Sequence, residues 1–127
     1  MAIKGKQKPR IHIAQEYSRS DARKASKLAA AMDINLDRWQ MDVLSDWMAT
    51  GDDGKWIHIR NGLPCPRQNG KTLLLEARLN YGALFIGEKI LYTAHDYSTV
   101  TQLFDRMQYY FGEKKNDEFA KFPELNE

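Results

Sequence analysis

The segment around residue 70, where an extended pattern meets a helical one, limits the possible folds more than any other part of the sequence. Trp56-Ile-His-Ile opens an extended stretch that runs toward Cys65, and a helical pattern begins at Leu73. The residues between them, Cys65-Pro-Arg-Gln-Asn-Gly-Lys-Thr, match the pattern Gly, four residues, Gly-Lys-Ser/Thr except at the first position, where Cys65 replaces Gly. A strand, such a turn and a helix predict an α/β protein that binds phosphate groups.

Each residue retained from this pattern has a physical task. Gly70 lets the backbone approach phosphate oxygens closely, because it has no Cβ. The ammonium of Lys71 can bridge the β and γ phosphates of ATP, and the Thr72 hydroxyl can ligate Mg²⁺. The alternative is a strand-to-helix turn in which Gly-Lys-Thr occurs by chance.

The remaining pattern predicts three more helices and one more strand. A helix capped by Ser18 or Ser20 is expected to reach Met32, and a second runs from Leu36 to the stop at Gly51-Asp-Asp-Gly. Lys89-Ile-Leu-Tyr-Thr-Ala is β-prone, and a last helix ends at Gly112. This order favours parallel strands flanked by helices.

These elements divide the chain into four predicted regions. They are a basic flexible arm (1–17), a helical adenine-side segment (18–54), a phosphate-loop core (55–112) and a charged tail (113–127). With 127 residues, one compact unit is the expected maximum.

Charge is distributed unevenly along the chain. Residues 1–27 carry eight Lys or Arg side chains and two acidic ones, whereas the rest of the chain is mildly acidic. Such a segment suits contact with nucleic acid or an acidic protein, and its alternative is a solvated tail. No run approaches the roughly 18 apolar residues that cross a bilayer, the start lacks the apolar core of a signal peptide, and the chain has a single cysteine. We therefore expect a cytoplasmic protein without membrane contact.

The loop Pro66-Arg67-Gln68-Asn69-Gly70-Lys71-Thr72 closely resembles the Walker A variant of tailed-phage terminase large subunits, the motors that package DNA into procapsids. In that family the first glycine is commonly replaced and an arginine occupies the loop. Leu36-Asp-Arg-Trp39-Gln40 resembles the family's adenine-recognition segment, and Ile90 to Phe104 resembles the strand and helix after Walker A. The resemblance spans about residues 28–112.

The resemblance implies a partial P-loop NTPase fold with a helical N-terminal segment, and ATP and Mg²⁺ as cofactors. It implies catalytic roles for Arg67 and Lys71, with Arg67 reaching the γ-phosphate or a neighbouring subunit's nucleotide; its alternative role is a surface ion pair. The implied partners are double-stranded DNA, and a small terminase, a portal or a complementary large-terminase chain, in the cytoplasm of an infected or lysogenic bacterium. Self-association into a homo-oligomer is left open. The implied nucleotide-binding residues are Gln40, Arg67, Gln68, Asn69, Gly70, Lys71 and Thr72, the last as the Mg²⁺ ligand.

The chain also departs from the family. No apolar run ending in Asp-Glu follows Thr72, so the Walker B carboxylates that hold Mg²⁺ and activate water are missing, and so is the nuclease's carboxylate cluster. Asp96 is a poor substitute, since polar Thr and His lie among the residues before it and Tyr97 follows. We expect an amino-terminal piece that binds ATP without hydrolysing it. The alternatives are a non-catalytic DNA- or protein-binding module with a relic loop, and a truncated helicase-type ATPase.

Other candidate residues favour structural roles. Trp39 and Trp47 fall on one apolar helical face, where core packing is a better interpretation than stacking on a nucleotide. His95-Asp96 has no accompanying cluster at metal-ligand spacing, so a structural histidine is expected there. Cys65 is interpreted as a small strand residue before the loop.

Overall fold

The chain divides into two units, residues 1–82 and 83–127. The computed structural model describes residue 6 and residues 8–65, 70–112 and 120–122. Among the described residues, three α-helices and a two-stranded sheet belong to the first unit, and the longest helix belongs to the second.

Helix α1 (Ala22–Ala31) forms where alanine recurs at every third or fourth position. Its buried residues Ala22, Ala25 and Ala29 lie along one face, as helical spacing requires. The N-cap of α1 is Asp21, so the predicted cap at Ser18 or Ser20 is wrong. The Ser20 hydroxyl, one residue before the cap, accepts the N–H of Ala22 at 3.3 Å.

Helices α2 (Arg38–Trp47) and α3 (Lys71–Tyr81) complete the first unit, and α1 lies against both of them. Small side chains on α1 allow α3 to approach closely: Ala77 of α3 belongs to a buried cluster with Ala29 and Ile34. Removing this apolar surface from water stabilises the packing by about 25 cal/mol per Å². A larger buried cluster contains Ala22, Ala25, Leu44, Met48, Leu74 and Tyr81.

Helix α2 ends earlier than the sequence predicts. Strand β1 (Arg19–Ser20) pairs antiparallel with strand β2 (Ala49–Thr50), and β2 follows α2 directly. The predicted stop at Gly51 is therefore wrong, because residues 49 and 50 exchange helical hydrogen bonds for a ladder with β1. Thr50 also forms an isolated antiparallel bridge with Trp56.

Asp46, near the end of α2, connects part of the predicted arm to this helix. Its carboxylate accepts hydrogen bonds from His12 and from the Tyr17 hydroxyl, the latter at 2.7 Å. Burial, and then the hydrogen bond to Asp46, raise the pKa of Tyr17 to about 12. The ring of His58 bridges the same two segments: its Nε2 accepts the N–H of Gln15 at 3.0 Å, and its Nδ1 donates to the Asp46 carbonyl at 2.8 Å. Flexibility of residues 1–17 stays a prediction.

In the second unit, helix α4 (Tyr97–Phe111) ends at Gly112 as predicted, with φ 84° at that glycine. A short segment lies along the end of this helix: Phe122 donates its N–H to the Tyr110 carbonyl at 2.7 Å, and the two rings stack at 6.1 Å. A π-helix (Gly82–Ile86) follows α3 in the chain.

The two predicted parallel strands do not form in the described residues. Residues 57–65 and 87–96 adopt neither helix nor strand, and the sheet of the described residues is the antiparallel pair β1–β2. A parallel strand needs a paired neighbouring strand and cover on both faces, and the described part of the chain pairs neither segment with a parallel strand. The partial P-loop NTPase fold therefore stays a prediction.

Candidate functional site

The predicted phosphate loop leads into α3 at Gly70. Gly70 is the N-cap of α3, with φ 86°, in the left-handed region that favours glycine. Its carbonyl accepts the N–H of Leu74 at 3.3 Å and so begins the helical hydrogen-bond ladder. The glycine of the predicted loop therefore occupies the position before α3 where the backbone has a positive φ.

The Lys71 side chain folds back toward the start of the loop. Its Nζ donates a hydrogen bond to the Cys65 carbonyl at 2.9 Å, although six positions separate the two residues. Lys71 is half-buried, whereas the neighbouring Thr72 is exposed in the first turn of α3. A cationic group thus lies beside a helix N-terminus, and both favour an anion.

Three of the predicted nucleotide-binding residues, Arg67, Gln68 and Asn69, lie outside the described residues. Gly70, Lys71 and Thr72 are consecutive at the start of α3. The oxygen of the Thr72 hydroxyl suits Mg²⁺, which prefers oxygen ligands and usually keeps several waters and substrate phosphate oxygens around it. In the part of the chain that the structure describes, no three His, Cys, Asp or Glu side chains form a metal-binding group.

Gln40 is brought next to Gly70 from 30 positions away. Its Nε2 donates to the Gly70 carbonyl at 2.9 Å, and its Oε1 accepts the N–H of Asp37 at 2.7 Å. The side chain is 3% exposed. The predicted contact of Gln40 with adenine remains untested, but its amide already has backbone partners on both sides.

Close packing accompanies this contact. A Cβ placed on Gly70 would lie 2.6 Å from Gln40 Nε2 and 3.8 Å from Cζ2 of Trp39. Trp39 therefore lies beside the end of the loop, whereas Trp47 and Trp56 pack against the larger buried cluster of the first unit. The guanidinium of Arg78 lies over the Trp56 ring, 4.9 Å from the ring centre, in a cation–π contact.

Asp96 has a structural role. It is the N-cap of α4, and its carboxylate accepts the N–H of Ser98 at 3.0 Å. This hydrogen bond is the main reason that the pKa of Asp96 is lowered. His95 and Asp96 are both exposed. The capping geometry supports a structural role for Asp96, whereas the structural role of His95 stays a prediction.

The sequence patterns above do not predict the capping or the burial of several polar residues. Asp37 and Gln40 are three positions apart and form a capping box at the start of α2, a signal that the spacing Asp-x-x-Gln carries. Glu76 and Asn80, one turn apart on α3, are each 1% exposed. Asn80 Nδ2 contacts Met32 Sδ at 3.6 Å. Their burial depends on the packing of α1 against α3, which no local pattern reveals.

Tyr81, at the end of α3, reaches back to the start of α1. Its hydroxyl donates to Asp21 Oδ2 at 3.3 Å. Burial first, and then the negative charge of Asp21, raise the pKa of Tyr81.

Comparison with known proteins adds no assignment to this geometry. Within the described ranges, no helix combines the length and apolar character needed to cross a bilayer. No protein-family model, curated protein or solved structure matches the chain.

Proposed function

We propose that this chain is an ATP-binding, amino-terminal part of the ATPase domain of a tailed-phage terminase large subunit. The observation that carries the nucleotide-binding step is the geometry at the start of α3. Gly70 has φ 86°, and the half-buried Lys71 holds its ammonium 2.9 Å from the carbonyl at the other end of the loop. The identity of the motor rests on the resemblance of Pro66–Thr72 to the family's loop.

The chemistry follows from these groups. The ammonium of Lys71 would exchange the Cys65 carbonyl for anionic phosphate oxygens, a stronger partner because both groups are charged. The Thr72 hydroxyl would provide one ligand of Mg²⁺, which neutralises charge on the β and γ phosphates. Arg67 would act on the γ-phosphate.

Titration calorimetry with ATP, with and without Mg²⁺, tests this binding. Lys71→Ala should weaken binding about ten- to hundredfold, because it removes a charge-assisted contact. Lys55→Ala is the matched control, since Lys55 is exposed in the same unit. Equal isotherms for wild type and Lys71→Ala would contradict the proposal and favour a binding module with a relic loop.

Hydrolysis by these 127 residues should be essentially absent. The resemblance assigns activation of the attacking water to a Walker B glutamate, and no apolar run ending in Asp-Glu follows Thr72. A phosphate-release assay should therefore show saturable binding without turnover, until a downstream polypeptide that carries Walker B is added. Turnover that disappears in Lys71→Ala would show that a carboxylate of this chain activates water.

Contact with double-stranded DNA is the second part of the proposal, and basic charge in residues 1–27 supports it. Arg23, Lys24 and Lys27 are exposed on α1, and Ala22 and Ala25 of the same helix are buried. A deletion through residue 27 would therefore remove core residues, so charge substitution is the better test. DNA binding weakens with salt, and the slope of log K against log salt concentration measures this. The slope should become shallower by about 0.9 for each phosphate contact that is lost in the triple variant Lys6→Gln, Lys8→Gln, Arg10→Gln. An unchanged slope would contradict this role of the arm.

A further inference from the structure

The amide of Gln40 links the start of α2 to the start of α3. Its Oε1 accepts the N–H of Asp37 at 2.7 Å, and its Nε2 donates to the Gly70 carbonyl at 2.9 Å. The first contact belongs to the capping box of α2, so the helix holds the amide in place. At 3% exposure the side chain presents little surface to a ligand.

The contact with Gly70 fixes the direction of a neighbouring backbone donor. The peptide that joins Gly70 to Lys71 is planar and trans, as is the rule, so its C=O and its N–H point in opposite directions. Because Gln40 and the N–H of Leu74 both hold the Gly70 carbonyl, the N–H of Lys71 is aimed away from them. That N–H is one of the donors that a helix N-terminus offers to a phosphate.

Packing reinforces this orientation. The left-handed φ of Gly70, 86°, brings its backbone so close to Gln40 that a Cβ would lie 2.6 Å from Nε2. Any rotation of the Gln40 amide to meet a base would break its hydrogen bonds to two backbone groups in a buried place.

We propose that Gln40 is a positioning residue for the phosphate loop, which it holds through the Gly70 carbonyl, and that it does not read the adenine base. This inference rests on the proposed binding of ATP at Lys71. It reassigns a residue that the sequence resemblance placed at the base.

Three probes separate the two roles of Gln40: Mg·ATP, Mg·GTP and inorganic triphosphate. Gln40→Glu keeps the acceptor for Asp37 but removes the donor to Gly70, and it should weaken binding of all three probes by a similar factor, about tenfold. Gln15→Glu is the matched control, because Gln15 is exposed in the same unit. A weakening confined to ATP, or no weakening for any probe, would overturn the inference.

A measurement on the wild type covers the case in which Gln40→Glu fails to fold. The side-chain amide signals of Gln40 in NMR spectra should shift when inorganic triphosphate is added and stay unchanged with adenosine. Shifts with adenosine alone, or no shift with triphosphate that binds, would overturn the positioning role.

These measurements distinguish a failure of the proposed ATP binding from a failure of the positioning role of Gln40. If the wild type binds none of the three probes, the proposed function and the role of Gln40 both fall. If Lys71→Ala abolishes binding and Gln40→Glu leaves it unchanged, the positioning role alone is wrong.

Discussion

Helices α3 and α4 begin in opposite ways. At α4 the carboxylate of Asp96 accepts the N–H of Ser98, so the helix caps itself with its own side chain. At α3 the N-cap is Gly70, which has no side chain, and its carbonyl is held by Gln40 from another helix. The N-terminus of α4 is thus capped by an adjacent side chain. The N-terminus of α3 has its N-cap carbonyl bonded to a residue 30 positions away, and Lys71 follows the cap directly.

The two N-termini therefore differ in whether they favour a bound anion. A negative cap satisfies a helix N-terminus and opposes a second anion, whereas a glycine followed by lysine favours one. The start of α3 therefore suits a phosphate, and the start of α4 does not. Substitutions that alter one N-terminus at a time test this contrast.

The largest effect is expected from Gly70→Ala. Alanine at a left-handed φ is strained, and its Cβ would displace the hydrogen-bonded amide of Gln40, so we expect the free energy of unfolding to fall by about 1–3 kcal/mol and ATP binding to weaken. Gly54→Ala is the matched control, because Gly54 has φ 75° but nothing within 4 Å of an added Cβ. Chemical denaturation of both variants checks this. Equal destabilisation would mean that the contact with Gln40 contributes nothing.

A smaller effect is expected from Asp96→Ala. Removal of the cap should speed amide hydrogen exchange in the first turn of α4, while Asp96→Asn should preserve the protection because asparagine caps equally well. ATP affinity should stay unchanged in both variants. A drop in ATP affinity equal to that of Lys71→Ala would assign Asp96 to the nucleotide site after all.

The smallest effect is expected from protonation of Asp96 at acidic pH. The pKa of Asp96 is lowered in the folded chain, chiefly by the N–H of Ser98. Its stabilising contribution is therefore present above its ordinary pKa and disappears as the pH falls through the lowered value. The NMR signal of the Ser98 amide should show a titration step in that acidic range. Asp96→Asn should remove the step; a step that persists would identify another carboxylate as its source.

Local patterns predicted the helices, and contacts between distant segments account for what they missed. Helices α3 and α4 follow from apolar spacing, and Gly112 ends α4 as expected, since these signals act within a few residues. The strand expected near Lys89 failed because a strand needs neighbours that local sequence does not supply.

The site was predicted in the same uneven way. The sequence identified Gly70, Lys71 and Thr72 at a helix start, because the signal lies in consecutive residues. Contact of Gln40 with Gly70 spans 30 positions, so nothing local could reveal it. An aspartate directly before a helical run is a local signal as well, and it indicates the capping role of Asp96.

Amide hydrogen exchange with and without Mg·ATP compares a phosphate site at the start of α3 with the start of α4 in one experiment. We expect Mg·ATP to slow exchange in residues 70–74 and to leave residues 96–100 unchanged, and we expect Lys71→Ala to abolish this difference. A folded chain in which Mg·ATP protects neither N-terminus, or protects both equally, would contradict a phosphate site at the start of α3.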